Sequence, residues 1–353
     1  MTEQMRTSTR DLEELREQVT AWLRGKVGGD ASVSELDRPT DNGMSSETLF
    51  FTATWDGRPT RCVARLAPAG EAVPVFPEYD LRSQFEIMRL AREKAGIPAP
   101  RTLWFEPDPA PLGTPFFVME RAEGLVPPDV LPYTLGGWLC EAAPEDQRRL
   151  QEASVGVVAA LHRTPFTPDE LAAFGPPGLR AHVDAQYAYY RWAHGKRPIP
   201  LLERAFDWLE AHWPERPGPD VLLWGDARIG NLMFRDFEPV AVLDWEMAAV
   251  GPRELDLSWM IFLHRFFQDL TVALGLPGMP GFMRAEDVCR TYRELTGHEP
   301  RDMGFYEMYA ALRHGIIMAR VWQRRIHFGE QPDPEDPDDL VLHRATIEQL
   351  LTT

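Results

Sequence analysis

Apolar residues first recur along the chain at the spacing of a helix. Four of them, from Leu12 to Leu23, are separated by three or four positions, which is the period of an amphipathic helix. The sequence predicts this helix over residues 9–27, with Thr9 as its N-cap and the glycines of GKVGGD at its end.

Between this helix and residue 121 the pattern favours strands. SSETLFFTATW and TRCVARLAP are rich in β-branched and aromatic residues and are separated by the turn DGRP, so they predict a hairpin. SQFEIMRLAREKAG is a helix pattern that Gly96 closes, and it is followed by the Pro-rich IPAPRTLWF and the strand PFFVMER. The predicted order is hairpin, helix, strands.

After Gly124 the chain becomes mainly helical. Three segments have helical spacing: QRRLQEASVGVVAALHR, LRAHVDAQYAYYRWAHG and PLLERAFDWLEAHW. Residues 221–245 are different, because VLLWGD, NLMFRD and VAVLDW are short and apolar, with FEP as a turn between the last two. The sequence therefore predicts a β-rich domain over residues 1–121 and, over residues 122–353, a helical domain that contains a small β-element.

Three polar residues interrupt this small β-element. Asp226 and Asn231 lie five positions apart in LLWGDARIGNLMF, and Asp244 ends the strand that returns from the predicted hairpin. Gly225 and Gly230 permit sharp turns beside them. Carboxylate and amide oxygens are the ligands that Mg²⁺ prefers in proteins, so Asn231 and Asp244 are candidate metal ligands.

The spacing D-x-x-x-x-N, followed by an Asp after a short hairpin, is that of a kinase catalytic loop and its magnesium-binding Asp. In such a loop one carboxylate accepts the proton of a hydroxyl, while an amide and a second carboxylate hold metal against phosphates. An Asp and an Asn at this spacing also occur by chance and often cap turns. The position of Asp244 at the end of an apolar strand favours the catalytic interpretation.

Two segments, WGDARIGN and VAVLDWEMAAVGPRELDLSW, resemble the signature of the aminoglycoside phosphotransferase and choline kinase-like superfamily. The likeness covers about residues 35–265. GTPFFVMERAEG, together with LDWE, is similar to the branch related to the kinase-like domain of acyl-CoA dehydrogenase fusion proteins, and to actinobacterial phosphotransferases of that branch. The resemblance implies an α+β, bilobal protein-kinase-like fold with a β-rich N-lobe and a mainly helical C-lobe.

The resemblance also implies roles for individual residues. Asp226 falls on the catalytic base of the family, and Asn231 and Asp244 fall on its magnesium ligands. Arg65 falls where many members carry the Lys that contacts the α- and β-phosphates of ATP, and Glu86 falls on the ion-pair partner of that Lys. Because an Arg presents a planar fork in place of a compact ammonium group, the phosphate geometry is expected to differ.

A nucleotide site in the N-lobe is implied in the same way. GMSSE would form the loop over the phosphates, with Ser45, Ser46 and their backbone amides as donors. The adenine is expected to bond to the backbone near Met119, Glu120 and Arg121. Neither a G-x-G-x-x-G motif nor a Walker loop occurs in the sequence, so no other nucleotide-binding fold is indicated.

Four residues around the predicted loop complete the comparison with the family. Asp256, in RELDLSW, matches the Asp that braces the catalytic loop. Trp224 stands where a His is usual, and a repacked loop is expected there. Arg228 and Glu246 flank the site, and surface ion pairs are favoured for both, with contact to phosphate, metal or acceptor as the alternative.

Charge and composition narrow the range of partners. The formal net charge of -17 repels phosphate backbones and anionic membrane surfaces, so neither nucleic acid nor a membrane is an expected partner. The three Cys form no CxxC pair, and no signal peptide or membrane-spanning stretch is recognisable. A cytoplasmic location is expected.

The predicted function is the ATP- and Mg²⁺-dependent transfer of the γ-phosphate to a hydroxyl of a small molecule. A nucleotide-binding regulator of the same fold without efficient phosphotransfer is the alternative, which the departure at Trp224 keeps open. A metal-dependent phosphohydrolase is disfavoured, because the His residues do not cluster around the Asp residues in the sequence.

Residues 125–220 are expected to build the pocket for the acceptor. In DAQYAYYRWAH, Tyr187, Tyr190 and His194 share one helical face and Trp192 lies on another. These rings are interpreted either as an aromatic wall for the acceptor or as ordinary helix packing, and packing is favoured for at least half of them.

Overall fold

The computed structural model describes residues 10–39, 47–67, 73–195 and 197–352. The chain forms two compact units. The first consists of Met1–Arg92 and Ala99–Ala122, and the second of Glu93–Pro98 and Glu123–Thr353.

The first unit is built on a five-stranded antiparallel sheet with the strand order β1-β2-β3-β5-β4. Its strands are β1 (Ala31–Val33), β2 (Glu47–Trp55), β3 (Arg58–Leu66), β4 (Thr102–Glu106) and β5 (Phe116–Glu120). Its helices are α1 (Leu12–Val27) and α2 (Leu81–Glu93). The predicted hairpin is present as β2 and β3, joined by Asp56 and Gly57, which both have positive φ as tight two-residue turns require.

Helix α1 packs its apolar face on the same core as this sheet. The ring of Trp22 lies 4.8 Å from that of Phe116, and its indole N–H donates to Glu106 at 2.8 Å. The N-cap is Asp11, whose carboxylate accepts from two backbone N–H groups of the first turn. The prediction of Thr9 as the cap was therefore wrong, and Thr9 itself lies outside the described residues. Both residues suit a cap, so the sequence alone did not separate them.

The second unit is mainly helical. Its helices are α3 (Pro144–Arg163), α4 (Pro168–Leu171), α5 (Leu179–Ala193), α6 (Pro200–Ala211), α7 (Glu254–Ala273), α8 (Ala285–Thr296), α9 (Met303–His327) and α10 (Arg344–Leu350). The three helices predicted from spacing are α3, α5 and α6. The core of this unit includes α7 and α9, which pack against each other.

The small β-element of the second unit consists of two separate two-stranded ribbons. Its strands are β6 (Asp220–Leu223), β7 (Leu232–Arg235), β8 (Glu238–Val242) and β9 (Ala249–Pro252). The predicted hairpin is β7 and β8, whereas β6 pairs with β9. The sequence did not predict β9, because AVGP contains a Gly and a Pro and lacks the alternation of a strand.

Four buried histidines of the second unit have a lowered pKa, and His264 and His343 are two of them. Burial lowers the pKa of His264 and of His343 from 6.5 to about 4. Each therefore stabilises the fold fully above pH 6.5, and this stabilisation is lost as the pH falls through about 4. We expect the free energy of unfolding to fall between pH 6.5 and 4.5 by up to roughly 3 kcal/mol for each residue.

Urea denaturation at several pH values measures this loss. A variant with His264→Gln should have a shallower dependence, because one of the buried proton-binding sites is removed. A free energy of unfolding that stays constant from pH 7.5 to 4.5 would contradict the expectation. Carboxylates with a lowered pKa, such as Glu106, lose their stabilising contribution only at pH values below this range.

Within the described residues, no helix is both long enough and apolar enough to cross a lipid bilayer.

Candidate active site

A single buried carboxylate fixes the loop that follows β6. Asp256, on the first turn of α7, accepts hydrogen bonds from the backbone N–H groups of Trp224 and Gly225 at 2.8 and 2.9 Å. The same carboxylate lies 3.1 Å from the ring nitrogen Nε2 of His162. Asp256 is fully buried, so these bonds hold the loop in a protected environment, as the resemblance implied.

Gly225 is the residue at which this loop turns. Its φ is +87°, and a Cβ atom built on it would lie only 1.8 Å from the carbonyl oxygen of Met247. Its own carbonyl accepts a hydrogen bond of 3.2 Å from the guanidinium of Arg313. Only Gly satisfies both the left-handed backbone and this close approach of two backbone segments.

The side chain of Asp226 is held by three donors. The indole N–H of Trp259 donates to Oδ1 at 2.6 Å, and Nδ2 of Asn231 donates to Oδ2 at 2.6 Å. The third donor is Nε of Arg228, 3.3 Å from Oδ2. These three contacts fix the direction of the carboxylate. Its side chain is 13% exposed, so it still reaches the surface.

Asn231 is oriented by the same contacts. Its Nδ2 also donates to the carbonyl oxygen of Asp226 at 3.1 Å. Both amide hydrogens are therefore directed at Asp226, and Oδ1 points away from it. Oδ1 of Asn231 accepts no hydrogen bond from a described residue, which leaves an oxygen of the kind that Mg²⁺ prefers.

The hairpin brings Asp244 beside Asn231. The backbone N–H of Leu243 donates to the carbonyl of Asn231 at 2.9 Å, one position before Asp244. Asp244 has a φ of +56°, in the left-handed region that Asp tolerates better than most residues. The chain therefore turns sharply after β8, at the residue that the sequence proposed as a metal ligand.

Trp224, the departure from the family pattern, connects the two halves of the site. Its side chain is 1% exposed, and its indole N–H donates to the carbonyl of Leu243 at 2.9 Å. Its ring lies 5.8 Å from that of Trp245. Trp224 thus ties the loop that carries Asp226 to the strand end that carries Asp244.

Arg228 lies within the site. It forms ion pairs with Asp129 at 2.6 Å and with Asp226 at 3.3 Å, and its side chain is 19% exposed. Burial favours a lower pKa, but the charges of Asp226 and Asp129 outweigh it and raise the pKa of Arg228 above its ordinary value. The expected ion pairing of Arg228 is present, and one of its two partners is Asp226 itself.

Three residues of this site were not predicted from the sequence. Trp259 contacts Asp226 directly, Asp129 pairs with Arg228, and the guanidinium of Arg313 lies 4.5 Å over the ring of Trp259. Trp259 and Arg313 lie in largely apolar helices, far along the chain from Asp226. Buried polar atoms inside apolar helices were the only signal that could have identified them.

The other proposed site residues lie in the first unit. Arg65 is on β3, opposite Thr48 of β2 and Phe117 of β5. Glu86 is on α2 and forms its ion pair with Arg89 at 3.0 Å rather than with Arg65. Arg89 follows Glu86 by three positions on the same helix, which places the two side chains together.

The segment proposed to contact adenine lies at the C-terminal end of β5. Met119 and Glu120 end β5, and Arg121 comes directly after it. The backbone N–H groups of Glu120 and Arg121 donate to the carbonyls of Arg101 and Arg61 at 2.9 and 2.8 Å. These two donors are thus already used within the first unit. Ser45 and Ser46 lie outside the described residues.

The aromatic residues of α5 divide between packing and exposure. Tyr190 is buried, and its hydroxyl donates to Glu203 at 2.8 Å. Trp192 is 37% exposed, with the guanidinium of Arg320 4.4 Å from its ring. Packing is therefore the role of Tyr190.

Within residues 10–39, 47–67, 73–195 and 197–352, no three His, Cys, Asp or Glu side chains lie together in a way that could hold a metal ion. Mg²⁺ bound against nucleotide phosphates requires fewer protein ligands, commonly one or two carboxylates.

Comparison with solved structures identifies the fold. A candidate aminoglycoside phosphotransferase of Ralstonia eutropha superposes with a TM-score of 0.68 at 22% identity, over 95% of this chain and 96% of that one. A thermostable mutant of the aminoglycoside phosphotransferase APH(4)-Ia, in a ternary complex with ADP and hygromycin B, gives a TM-score of 0.57 at 16% identity, over 95% of this chain and 98% of that one. The predicted α+β, protein-kinase-like fold is thereby confirmed.

Curated relatives place the chain near one branch. Acyl-CoA dehydrogenase family member 10 of Mus musculus is 28% identical over 320 residues, which are 86% of this chain and 28% of that protein. Member 11 of Homo sapiens is 26% identical over 200 residues, which are 56% of this chain and 24% of that protein. The predicted resemblance to this branch is confirmed, and the chain spans about a quarter of the length of these relatives.

The match to the family itself is extensive. The pattern of the phosphotransferase enzyme family, APH, matches residues 38–294, which is well over half of the chain. This range includes the loop after β6, the β7–β8 hairpin and the first turns of α7. The chain belongs to the phosphotransferase enzyme family.

Proposed function

We propose that this protein transfers the γ-phosphate of ATP to a hydroxyl group of a small molecule in a Mg²⁺-dependent reaction. The observation that carries the proposal is the arrangement around Asp226, which is held by Trp259, Asn231 and Arg228 and is still partly exposed. A carboxylate at the surface whose direction is fixed is suited to orient an incoming hydroxyl.

In the proposed reaction, Asp226 accepts the hydrogen bond of the acceptor hydroxyl and takes its proton as the new O–P bond forms. The bond between the γ-phosphorus and the bridging oxygen breaks, and ADP leaves. Phosphoryl transfer depends mostly on positioning and on charge stabilisation. The hydrogen bonds that hold Asp226 therefore position the acceptor hydroxyl through this carboxylate.

The donor set supports magnesium as the cofactor. Asn231 offers Oδ1, because its Nδ2 is committed to Asp226, and Asp244 adds a carboxylate from the next strand end. When bound, Mg²⁺ supplies positive charge against the β- and γ-phosphates. We assign these two residues as its protein ligands.

Family membership extends the proposal to the first unit. We assign Arg65, Ser45 and Ser46 to the nucleotide phosphates, and Glu86 as the ion-pair partner of Arg65. We assign Met119, Glu120 and Arg121 to the nucleotide base. Because the N–H groups of Glu120 and Arg121 already donate within the sheet, these two residues would contact the base through other atoms.

Replacing Trp259 by Phe should slow the proposed reaction without unfolding the protein. Phe keeps the aromatic ring beneath Arg313 but removes the N–H that donates to Oδ1 of Asp226. We expect kcat to fall by about tenfold, which corresponds to the loss of one hydrogen bond to a charged group. The measurement is a steady-state assay of ADP release, accompanied by a thermal melt.

Trp322→Phe is the matched control for this prediction. The indole nitrogen of Trp322 is buried and has no hydrogen-bond partner among the described residues, so its loss should leave kcat within about twofold. Equal kcat values for Trp259→Phe and wild-type protein would show that the contact with Asp226 does not position it.

Titration calorimetry with the non-hydrolysable analogue AMP-PNP tests the proposed cofactors. We expect wild-type protein to bind the analogue with Mg²⁺ present, and affinity to fall by about tenfold or more in EDTA or in Asp244→Asn. Asp236→Asn is the control, because this exposed Asp lies at the other end of the β7–β8 hairpin. Absence of binding, or equal binding with and without Mg²⁺, would contradict the proposed cofactors.

A further inference from the structure

A cavity lies in the second unit and is lined by other residues than the proposed active site. It has a volume of about 440 Å³ and is lined by residues 216–219, by Glu254 at the start of α7, by residues 297–299 and 301–302, and by Tyr306. Small-molecule sites have volumes of roughly 300–1,000 Å³, whereas one water occupies about 30 Å³ of the liquid. Asp226, Asn231 and Asp244 do not line it.

Two buried polar atoms of this cavity's lining residues have no partner among the described residues. Glu254 is 2% exposed, and its Oε1 accepts from Nε2 of His298 at 2.8 Å and from the backbone N–H of Arg301 at 3.3 Å. Its Oε2 and the hydroxyl of Tyr306 are buried and make no hydrogen bond. Folded proteins rarely leave such groups unsatisfied, because the desolvation cost is not recovered.

Gly218 lies beside Oε2 of Glu254. A Cβ atom built on Gly218 would lie 3.1 Å from this oxygen, so the absence of a side chain at position 218 leaves space directly beside the carboxylate. Because Gly218 also lines the cavity, this space belongs to the cavity.

Three carboxylates lie near the hydroxyl of Tyr306. Burial raises the pKa of Tyr306, and the carboxylates of Glu254, Asp302 and Asp220 raise it further. The phenol therefore stays neutral, and the field around it attracts cations. An ammonium group carries three N–H donors and one positive charge, and it can bond to Oε2 of Glu254 and to the oxygen of Tyr306.

The exposed residues around the cavity carry charges of both signs, and two of them are arginines. Arg216 and Arg301 are both exposed, and their guanidinium groups form no ion pair with a described residue. A guanidinium binds a carboxylate through two parallel hydrogen bonds. A ligand that satisfies both ends would carry an ammonium group at one end and a carboxylate at the other.

We propose that this cavity binds a small zwitterion, in which a primary ammonium group contacts Glu254 and Tyr306 and a carboxylate contacts Arg216 and Arg301. The site is independent of the proposed phosphotransfer. Glu254 begins the same helical turn that contains Asp256, whose carboxylate holds the loop before Asp226.

Titration calorimetry with γ-aminobutyrate and 5-aminopentanoate, without nucleotide, tests the proposal. We expect at least one of them to bind at concentrations up to about 10 mM. Pentanoate and pentylamine, which each lack one charged group, should bind about tenfold more weakly or not at all. Absence of binding for both amino acids, or equal binding of the singly charged compounds, overturns the proposal.

Three variants locate the binding. Gly218→Ala covers Oε2 without removing a charge, and Tyr306→Phe removes the hydroxyl, so each should weaken binding about tenfold. Glu299→Gln is the matched control, since Glu299 lines the same cavity but pairs with Arg293 at 3.1 Å, and its binding should stay within about twofold of wild type. Wild-type affinity in both test variants would place the ligand elsewhere and overturn the proposal.

Discussion

Replacing Asp226 by Asn is expected to lower kcat for phosphate transfer by roughly 10³-fold, within the range of 10²–10⁴ found for positioned acid–base groups. The amide occupies the same volume but carries no charge and is a poor proton acceptor. The fold should survive, because the main supports of the loop are the bonds from Trp224 and Gly225 to Asp256. The measurement is kcat for wild type and variant with one acceptor.

Two controls make this result specific to Asp226. Asp236→Asn removes a carboxylate from the turn of the nearby hairpin and should leave kcat unchanged, since this side chain is exposed. Binding of AMP-PNP with Mg²⁺ should persist in Asp226→Asn. A kcat within tenfold of wild type in Asp226→Asn would mean that another group performs the role assigned to this carboxylate.

Replacing Gly225 by Ala is expected to lower the free energy of unfolding by about 4 kcal/mol or more. The left-handed backbone at this position disfavours any side chain. The larger effect comes from the added Cβ atom, which would lie 1.8 Å from the carbonyl oxygen of Met247. Because the obstacle is backbone, the loop and the segment around Met247 must move apart. Urea denaturation measures the change.

Gly137→Ala separates the two contributions to this loss. Gly137 has a φ of +89°, close to the +87° of Gly225, but a Cβ atom there would meet nothing within 4 Å. We expect it to cost only about 1–2 kcal/mol, the strain of the left-handed backbone itself. Equal losses in the two variants would show that the close approach to Met247 has no energetic consequence.

Local patterns predicted much of the fold. The strands β2, β3 and β5 and the hairpin β7–β8 follow from runs of apolar residues bounded by turn residues, which act over a few positions. For the same reason the relation of Asp226 to Asn231 was visible, because both belong to one short loop. The family resemblance then supplied the protein-kinase-like fold.

Contacts between distant segments were not predictable in this way. The hydrogen bond of Trp259 to Asp226, the bond of Arg313 to Gly225 and the pairing of β6 with β9 each join segments that only the tertiary fold brings together. No periodicity of hydrophobic residues encodes such a pairing.

Trp224 illustrates the difference between residue type and role. The sequence predicted a repacked loop at this position and gave no reason for an indole. The structure supplies the reason, since the indole N–H donates to the carbonyl before Asp244. The donor and the acceptor are nineteen positions apart, so only the folded hairpin brings them together.

The most direct test of the proposed function is mass spectrometry of small molecules incubated with the protein, ATP and Mg²⁺. The panel comprises aminoglycosides, macrolides, choline-like alcohols, sugars and hydroxyacyl-CoA compounds. We predict the gain of one phosphate on a hydroxyl of at least one of them with wild-type protein, and no gain with Asp226→Asn. Binding of ATP without phosphate gain on any compound, or equal gain with Asp226→Asn, would contradict the proposed role of Asp226.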